Sequence, residues 1–195
     1  MTIPEYKLKI EKYTDVTHLR KMCDMTHRGK SNKITLDNMC RCEHSPIRTQ
    51  RFHIELFDFP TFVSVHMVRH HVGIDHYVLT NREDYGGPED PTKIHRLSPV
   101  NHGMDVNAEA LINIAKKRLC KKAHRVAQDF VQKIKKELAG GVDPDLDPYL
   151  VPMCVYRNWL CPEMKNGRGC GQLGQQMKEY GYYYNLIMTK GYYIE

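Results

Sequence analysis

The segment RHHVGIDHYVLTNR, residues 69–82, sets two arginines, three histidines and the Thr80 hydroxyl directly behind an apolar run, residues 57–68. That run is punctuated by Pro60 and is expected to bury. A buried run that ends in Arg69, His70 and His71 delivers those groups to a fixed place, a cleft or a subunit interface. Planar guanidinium and imidazole donors held there suit phosphates and electron-rich heterocycles. A solvated turn with incidental histidines is the other reading of the same composition.

Working outward, Phe52, Ile54 and Leu56 alternate with Arg51, His53 and Glu55, the period of a half-buried strand. The turn-like Glu43-His44-Ser45-Pro46 leads into it. Asp58 and Pro60 suit the start of a helix with proline at its first position, carrying Phe62, Val63 and His66 toward Arg69. Nearer the N-terminus, Tyr6, Leu8 and Ile10 alternate with Lys7 and Lys9, as in an edge strand. Asp15 reads as the N-cap of a short helix with Leu19, Met22, Cys23 and Thr26 on one face, ended by Gly29, Ser31 and Asn32. Thr35 begins another short helix through Cys42.

Downstream, Gly86, Gly87, Pro88, Pro91 and Pro99 break regular structure, so the chain reads as loop to about residue 104. Connections of that length are more often functional or disordered than inert. From Asp105, the residues Ala108, Leu111, Ile112, Ala115, Leu119, Val126, Ala127, Phe130, Ile134 and Leu138 keep a rhythm of roughly 3.6 residues. They predict one long core helix, stopped by Gly140-Gly141. Residues 143–148 read as a turn, and 149–153 as a short strand or helix. The tail from Gly171, rich in Tyr, Gly and Gln, reads as a partner-dependent extension.

With 195 residues and 22.8 kDa the chain is large enough for one sizeable core. A 27% charged and 41% hydrophobic composition is ordinary for a soluble globular protein. No apolar stretch approaches a membrane span, and MTIPEYKLKIEKY lacks the apolar core of a signal peptide, so a cytoplasmic setting is expected. The net charge of +6 and pI near 8.9 point to anionic partners. The basic residues are dispersed apart from Lys116, Lys117, Arg118, Lys121 and Lys122, which favours small anions over a nucleic-acid track. Seven cysteines, an odd number, do not make a disulfide framework. Cys154, Cys161 and Cys170, completed by another Cys or a His, are a candidate structural zinc site, against the alternative of reduced, mostly buried thiols.

The order of these segments resembles the flavin-dependent thymidylate synthases. In that family a His/Glu-Thr/Ser-Pro turn enters a strand, and a helix then leads to Arg-His-Arg, seven residues and a Ser. CEHSPIRTQRFHIEL, residues 42–56, matches the turn and strand, with His44, Ser45 and Pro46 in place. PTFVSVHMVRHH, residues 60–71, matches the helix; Arg69 and His70 fall on the motif, and His71 stands where an arginine is usual. Thr80 takes the Ser position if one residue is inserted, after which Arg82 aligns with the arginine two positions on. His66 replaces a glutamine that contacts nucleotide. A second block has Val106-Asn107-Ala108, Leu111, Asn113 and Arg118, with the arginine eleven residues after the first asparagine, as in the family. Glu109 departs from it, standing in place of an arginine. The likeness covers about residues 35–140 and lacks a helical insertion of larger members, so the chain looks like a compact, phage-type member.

The resemblance implies an α+β fold, an antiparallel sheet packed against helices including one long core helix. Residues 1–170 would form a single domain, with 171–195 a C-terminal extension of it. It implies FAD reduced by NADPH, methylenetetrahydrofolate as one-carbon donor, and conversion of dUMP to dTMP without a cysteine nucleophile. On that reading Ser45, Arg69, His70, His71, Asn107 and Asn113 contact FAD. His66, Thr80 and Arg82 bind dUMP, with Thr80 and Arg82 on the phosphate, and Arg118 donates to the uracil carbonyls. The family also implies a homo-oligomer, a tetramer, with neither membrane nor nucleic acid as partner, working in the host cytoplasm if virus-encoded. Two alternatives stay open: a relative that modifies another pyrimidine nucleotide, for example by hydroxymethylation, and a basic zinc-containing nucleic-acid-binding protein.

Overall fold

The computed structural model describes residues 4–26, 33–164 and 169–189. Its frame is one antiparallel sheet in the order β1-β2-β4-β3, built from β1 (Lys7–Lys12), β2 (Arg51–Pro60), β3 (Ile74–Val78) and β4 (Pro99–Asn107). The alternation that marks β2 sends Phe52, Ile54 and Leu56 into the core, and β4 does the same with Val100, His102, Met104 and Val106. The other face carries cross-strand polar pairs: Lys9–Glu55 at 3.4 Å, Arg51–Asp75 at 3.1 Å and His53–Asp105 at 2.7 Å. One face is therefore apolar and covered, the other polar.

β2 runs further than its sequence suggests. Asp58, at φ +58°, is an extra residue between the pairs Leu56↔His102 and Phe59↔Val100. A bulge of this kind restores the inward phase, so Phe59 enters the core instead of facing out. Its ring meets Tyr6 at 5.0 Å and Phe130 at 5.6 Å. Burying such a ring contributes about 1.5–3 kcal/mol. Pro60 consequently ends the strand and caps the next helix, which starts one residue later than expected.

The helices are α1 (Val16–Thr26), α2 (Leu36–Cys42), α3 (Thr61–Val68), α4 (Ala108–Arg118), α5 (Arg125–Glu137), α6 (Met153–Tyr156) and α7 (Leu173–Thr189). Asp15 Oδ1 accepts from the Thr17 and His18 amides at the start of α1. Thr35 and Asn38 form a reciprocal capping box on α2. The expected end of α1 at Gly29, Ser31 and Asn32 lies outside the described residues.

The structure makes two corrections. Residues 83–104 are not all loop: β4 begins at Pro99, where a strand tolerates proline at its first position. The long core helix is two helices. α4 stops at Arg118, a turn closes through Ala123 N–H to Cys120 C=O at 2.8 Å, and His124 caps α5. The apolar rhythm crosses this break because Leu119 and Val126 are seven residues apart, two helical turns, so periodicity could not register it. The break lets α5 lay Val126, Phe130, Val131 and Ile134 into the core independently of α4.

α7, within the segment read as a partner-dependent extension, packs on this break of its own chain. Gln176, on α7, donates to the Leu119 carbonyl at 3.4 Å, Lys121 Nζ reaches both Glu179 oxygens at 2.8 Å, and Tyr180 is buried. No described helix is long and apolar enough to cross a membrane.

Candidate active site

The two sequence blocks meet at one contact. Arg118, at the C-terminal end of α4, donates from Nε to His70 Nε2 at 3.0 Å and from Nη2 to the His66 carbonyl at 3.4 Å. His70 directly follows Arg69, the residue that caps α3. Burial first, then Arg118, Lys117, His76 and His71, push the His70 imidazole down to about 4. It is a neutral ring at physiological pH, and its Nε2 lone pair is free to receive the guanidinium hydrogen. His66 is likewise lowered, by burial and then by Arg118, Arg69, His124 and Arg96. Arg118 is lowered by burial and by Arg69, but a guanidinium stays charged in proteins. The result is a fixed cation backed by neutral imidazoles, a surface suited to an anionic or electron-rich ligand.

The remaining expected residues are not gathered so closely. His71 is exposed, its Nδ1 3.3 Å from the Arg69 carbonyl oxygen. Thr80 and Arg82 follow β3; the Thr80 hydroxyl accepts from the Arg82 amide at 3.2 Å. The Arg82 guanidinium is held by Asp84, Nε to Oδ1 at 2.9 Å and Nη2 to Oδ2 at 2.6 Å. Ser45 is exposed and opens the single-turn helix Ser45–Thr49. Asn107 is buried as the N-cap of α4, its Oδ1 accepting from the Ala110 amide at 2.9 Å, so that oxygen already has a structural role. Asn113 is exposed on the α4 face shared with Glu109 and Lys117, one turn away on either side.

Two cavities of about 1200 and 1040 Å³ share Lys122, Ala123 and Cys170 in their walls. The larger is walled by Phe62, Arg96, Lys121, His124 and Arg125, the other by Lys116, Lys117 and Arg118. Cys154, Cys161 and Cys170 line the second cavity together with Cys120. Among the described residues, however, no three His, Cys, Asp or Glu side chains form a group able to hold a metal ion.

Sequence reading missed Ser64 and His102 and gave His76, within the 69–82 segment, no role of its own; the three form a hydrogen-bonded row behind His70. The period-two pattern Val100, His102, Met104, Val106 was the available signal for a histidine facing inward.

No protein family model and no curated protein sequence matches the chain. Solved structures do. A UMP/dUMP methylase, PolB, from Streptomyces cacaoi, bound with 5-Br dUMP, superposes with a TM-score of 0.58 at 11% identity, over 74% of this chain and 94% of that one. Thymidylate Synthase X from Helicobacter pylori, with FAD and dUMP, gives a TM-score of 0.55 at 11% identity, over 74% and 99%. The chain has the Thymidylate Synthase X fold. In that fold, the α+β architecture expected from the sequence is present, with its long helix divided at Leu119–His124.

Proposed function

We propose that the chain is a flavin-dependent enzyme that transfers a one-carbon unit to the uracil ring of dUMP. One observation carries this reading: Arg69–His70 and Arg118, from two motifs 48 residues apart, converge at 3.0 Å. A coincidental sequence match gives no reason for that contact. The likeness to a dUMP-bound methylase and to an FAD- and dUMP-bound synthase supports the same assignment.

The donor set fits FAD. Arg69 is exposed and near Arg118, and His70 is a neutral ring close to Lys117, so pyrophosphate oxygens and flavin carbonyls would both find donors. Arg69, His70 and His71 would hold the cofactor, which when reduced by NADPH supplies the electron pair for forming the methyl group. The one-carbon unit would come from methylenetetrahydrofolate. Thr80 and Arg82 would take the dUMP phosphate, and His66 would stand beside the nucleotide. Arg118 would donate to the uracil carbonyls while His70 fixes its Nε. A guanidinium held in place stabilises a ring gaining negative charge more than a neutral one, which lowers the barrier and not merely the binding energy. The active form would be a homo-oligomer, a tetramer, whose subunits share sites, because one chain of this size cannot enclose a dinucleotide, a nucleotide and a folate. UMP is a second candidate substrate, on the likeness to the UMP/dUMP methylase.

The test is spectroscopic. The purified chain should carry flavin absorbance or take up added FAD, and dUMP should perturb that spectrum. Arg118→Ala should keep FAD but lose about a hundredfold in turnover. A chain that takes up neither FAD nor dUMP overturns the proposal.

A further inference from the structure

We propose that His76 and His102 are positioning residues: with Ser64 they form a one-way hydrogen-bond relay that holds the His70 carbonyl and so sets the imidazole that receives Arg118. Ser64 Oγ lies 3.0 Å from His102 Nδ1, His102 Nε2 lies 2.9 Å from His76 Nδ1, and His76 Nε2 lies 2.8 Å from the His70 carbonyl oxygen. With His76 neutral, these contacts order every hydrogen. A carbonyl only accepts, so His76 carries its hydrogen on Nε2. Neutral His76 then offers a lone pair at Nδ1, and His102 must donate from Nε2. His102 Nδ1 is thereby an acceptor, filled by the Ser64 hydroxyl.

Burial keeps the His102 end of the relay uncharged. His102 and Ser64 are buried, and burial with His76 nearby pushes His102 down to about 4. Among the described residues no carboxylate is hydrogen-bonded to it: Asp105, three residues along β4, faces the opposite side of the sheet and meets His53. The last donor reaches the backbone of the residue whose side chain meets Arg118, and His70 N–H is itself tied to Met67 C=O at 2.8 Å. The peptide units on both sides of the His70 side chain are thus held, which leaves its ring little freedom.

Histidine-labelled NMR of the full chain reads the relay directly. At neutral pH His76 and His102 should be Nε2–H tautomers and His70 an Nδ1–H tautomer. His76→Phe should move His70 toward a mixture of tautomers and weaken FAD retention about fivefold, the size of one lost hydrogen bond. His76→Gln should recover most of both, because its amide N–H can reach the carbonyl. A role in filling space predicts the reverse order, Phe better than Gln. Hydrogen on His76 Nδ1, or an unmoved His70 in His76→Phe, overturns the relay. The relay rests on the flavin reading for its functional consequence alone; a chain that binds no flavin would remove that reading, while the tautomers still decide the relay.

Discussion

Arg48 and Glu109 face each other as a two-pronged ion pair, Nε to Oε2 at 2.6 Å and Nη2 to Oε1 at 3.2 Å. This pair accounts for the acidic residue at a position where the resembling family has arginine. Glu109 sits in the first turn of α4, where a carboxylate also suits the helix dipole, and it ties that turn to the Ser45–Thr49 segment. Glu109→Arg should therefore set two guanidinium groups against each other and lower the melting temperature by a few degrees. Adding Arg48→Glu should restore most of it, as thermal melts of the single and double variants would reveal. A single variant as stable as the parent would leave Glu109 unexplained.

Buried neutral histidines make the fold sensitive to acid. His102 titrates at 6.5 in an ordinary setting and at about 4 here, so the unfolded chain binds its proton more readily than the folded one. Its contribution is complete above about pH 6.5 and is lost as pH falls toward 4, on the order of 3 kcal/mol at the end of that range. His70 adds a smaller, partly solvent-screened share in the same direction. Urea unfolding at pH 7.5 and 4.5 should give a lower midpoint at 4.5. His102→Gln should shrink that difference, since carboxylate effects are common to both proteins. Equal pH dependence in parent and variant would rule out this source.

The sequence made β1 and β2 legible through their apolar alternation, whereas the prolines and glycines before β4 masked the same alternation there, and it also carried the two motif blocks. Asp15 and Thr35 announced their caps because capping depends on local side-chain chemistry. The break after Leu119 was hidden, since no proline or glycine marks it and the apolar phase is preserved across it. β3 was hidden for another reason: only Ile74 of its residues is buried, so the strand has almost no apolar pattern. In the candidate site, the contact of Arg118 with His70 joins two residues that the motif spacing had singled out. The His76–His102 pairing was not, because it joins strands 26 residues apart through a register that only the folded sheet defines.

Gly73 and Asn107 are in close contact, and this limits both positions. Gly73 has φ +75°, its carbonyl accepts from the Asn107 amide at 3.0 Å, and a Cβ there would come 2.3 Å from Asn107 Nδ2. Gly73→Ala therefore combines a left-handed backbone with a collision against the α4 N-cap, and about 2 kcal/mol or more should be lost. Asn107→Ala removes the cap and should cost about 1 kcal/mol, whereas Asn107→Asp should be nearly neutral because its oxygen still accepts from Ala110. Denaturant titrations decide this. If Asn107→Asp is as damaging as Asn107→Ala, the amide nitrogen and not the cap is what the position needs.

Arg82 supplies the sharpest test of where a nucleotide phosphate would bind. Its guanidinium already has a carboxylate partner in Asp84, through contacts of 2.9 and 2.6 Å, and it lies 5.1 Å from the Tyr85 ring. A phosphate taken up by Arg82 must displace Asp84 or share the fork with it, and the negative carboxylate opposes both. Asp84→Asn keeps the shape and removes the charge, so dUMP affinity should rise about two- to fivefold. Arg82→Ala should weaken dUMP by about tenfold, the size of a charge-assisted phosphate contact. Deoxyuridine, which lacks the phosphate, should respond to neither change. Raising the salt concentration should narrow all of these differences, because the groups are exposed. Calorimetric titration of the three proteins with both ligands makes the comparison. Tighter dUMP binding by Asp84→Asn together with no change for deoxyuridine assigns the phosphate to Arg82. Equal dUMP affinity in all three proteins removes Arg82 from the site and leaves the phosphate to the lysine- and arginine-lined cavities beside Arg118.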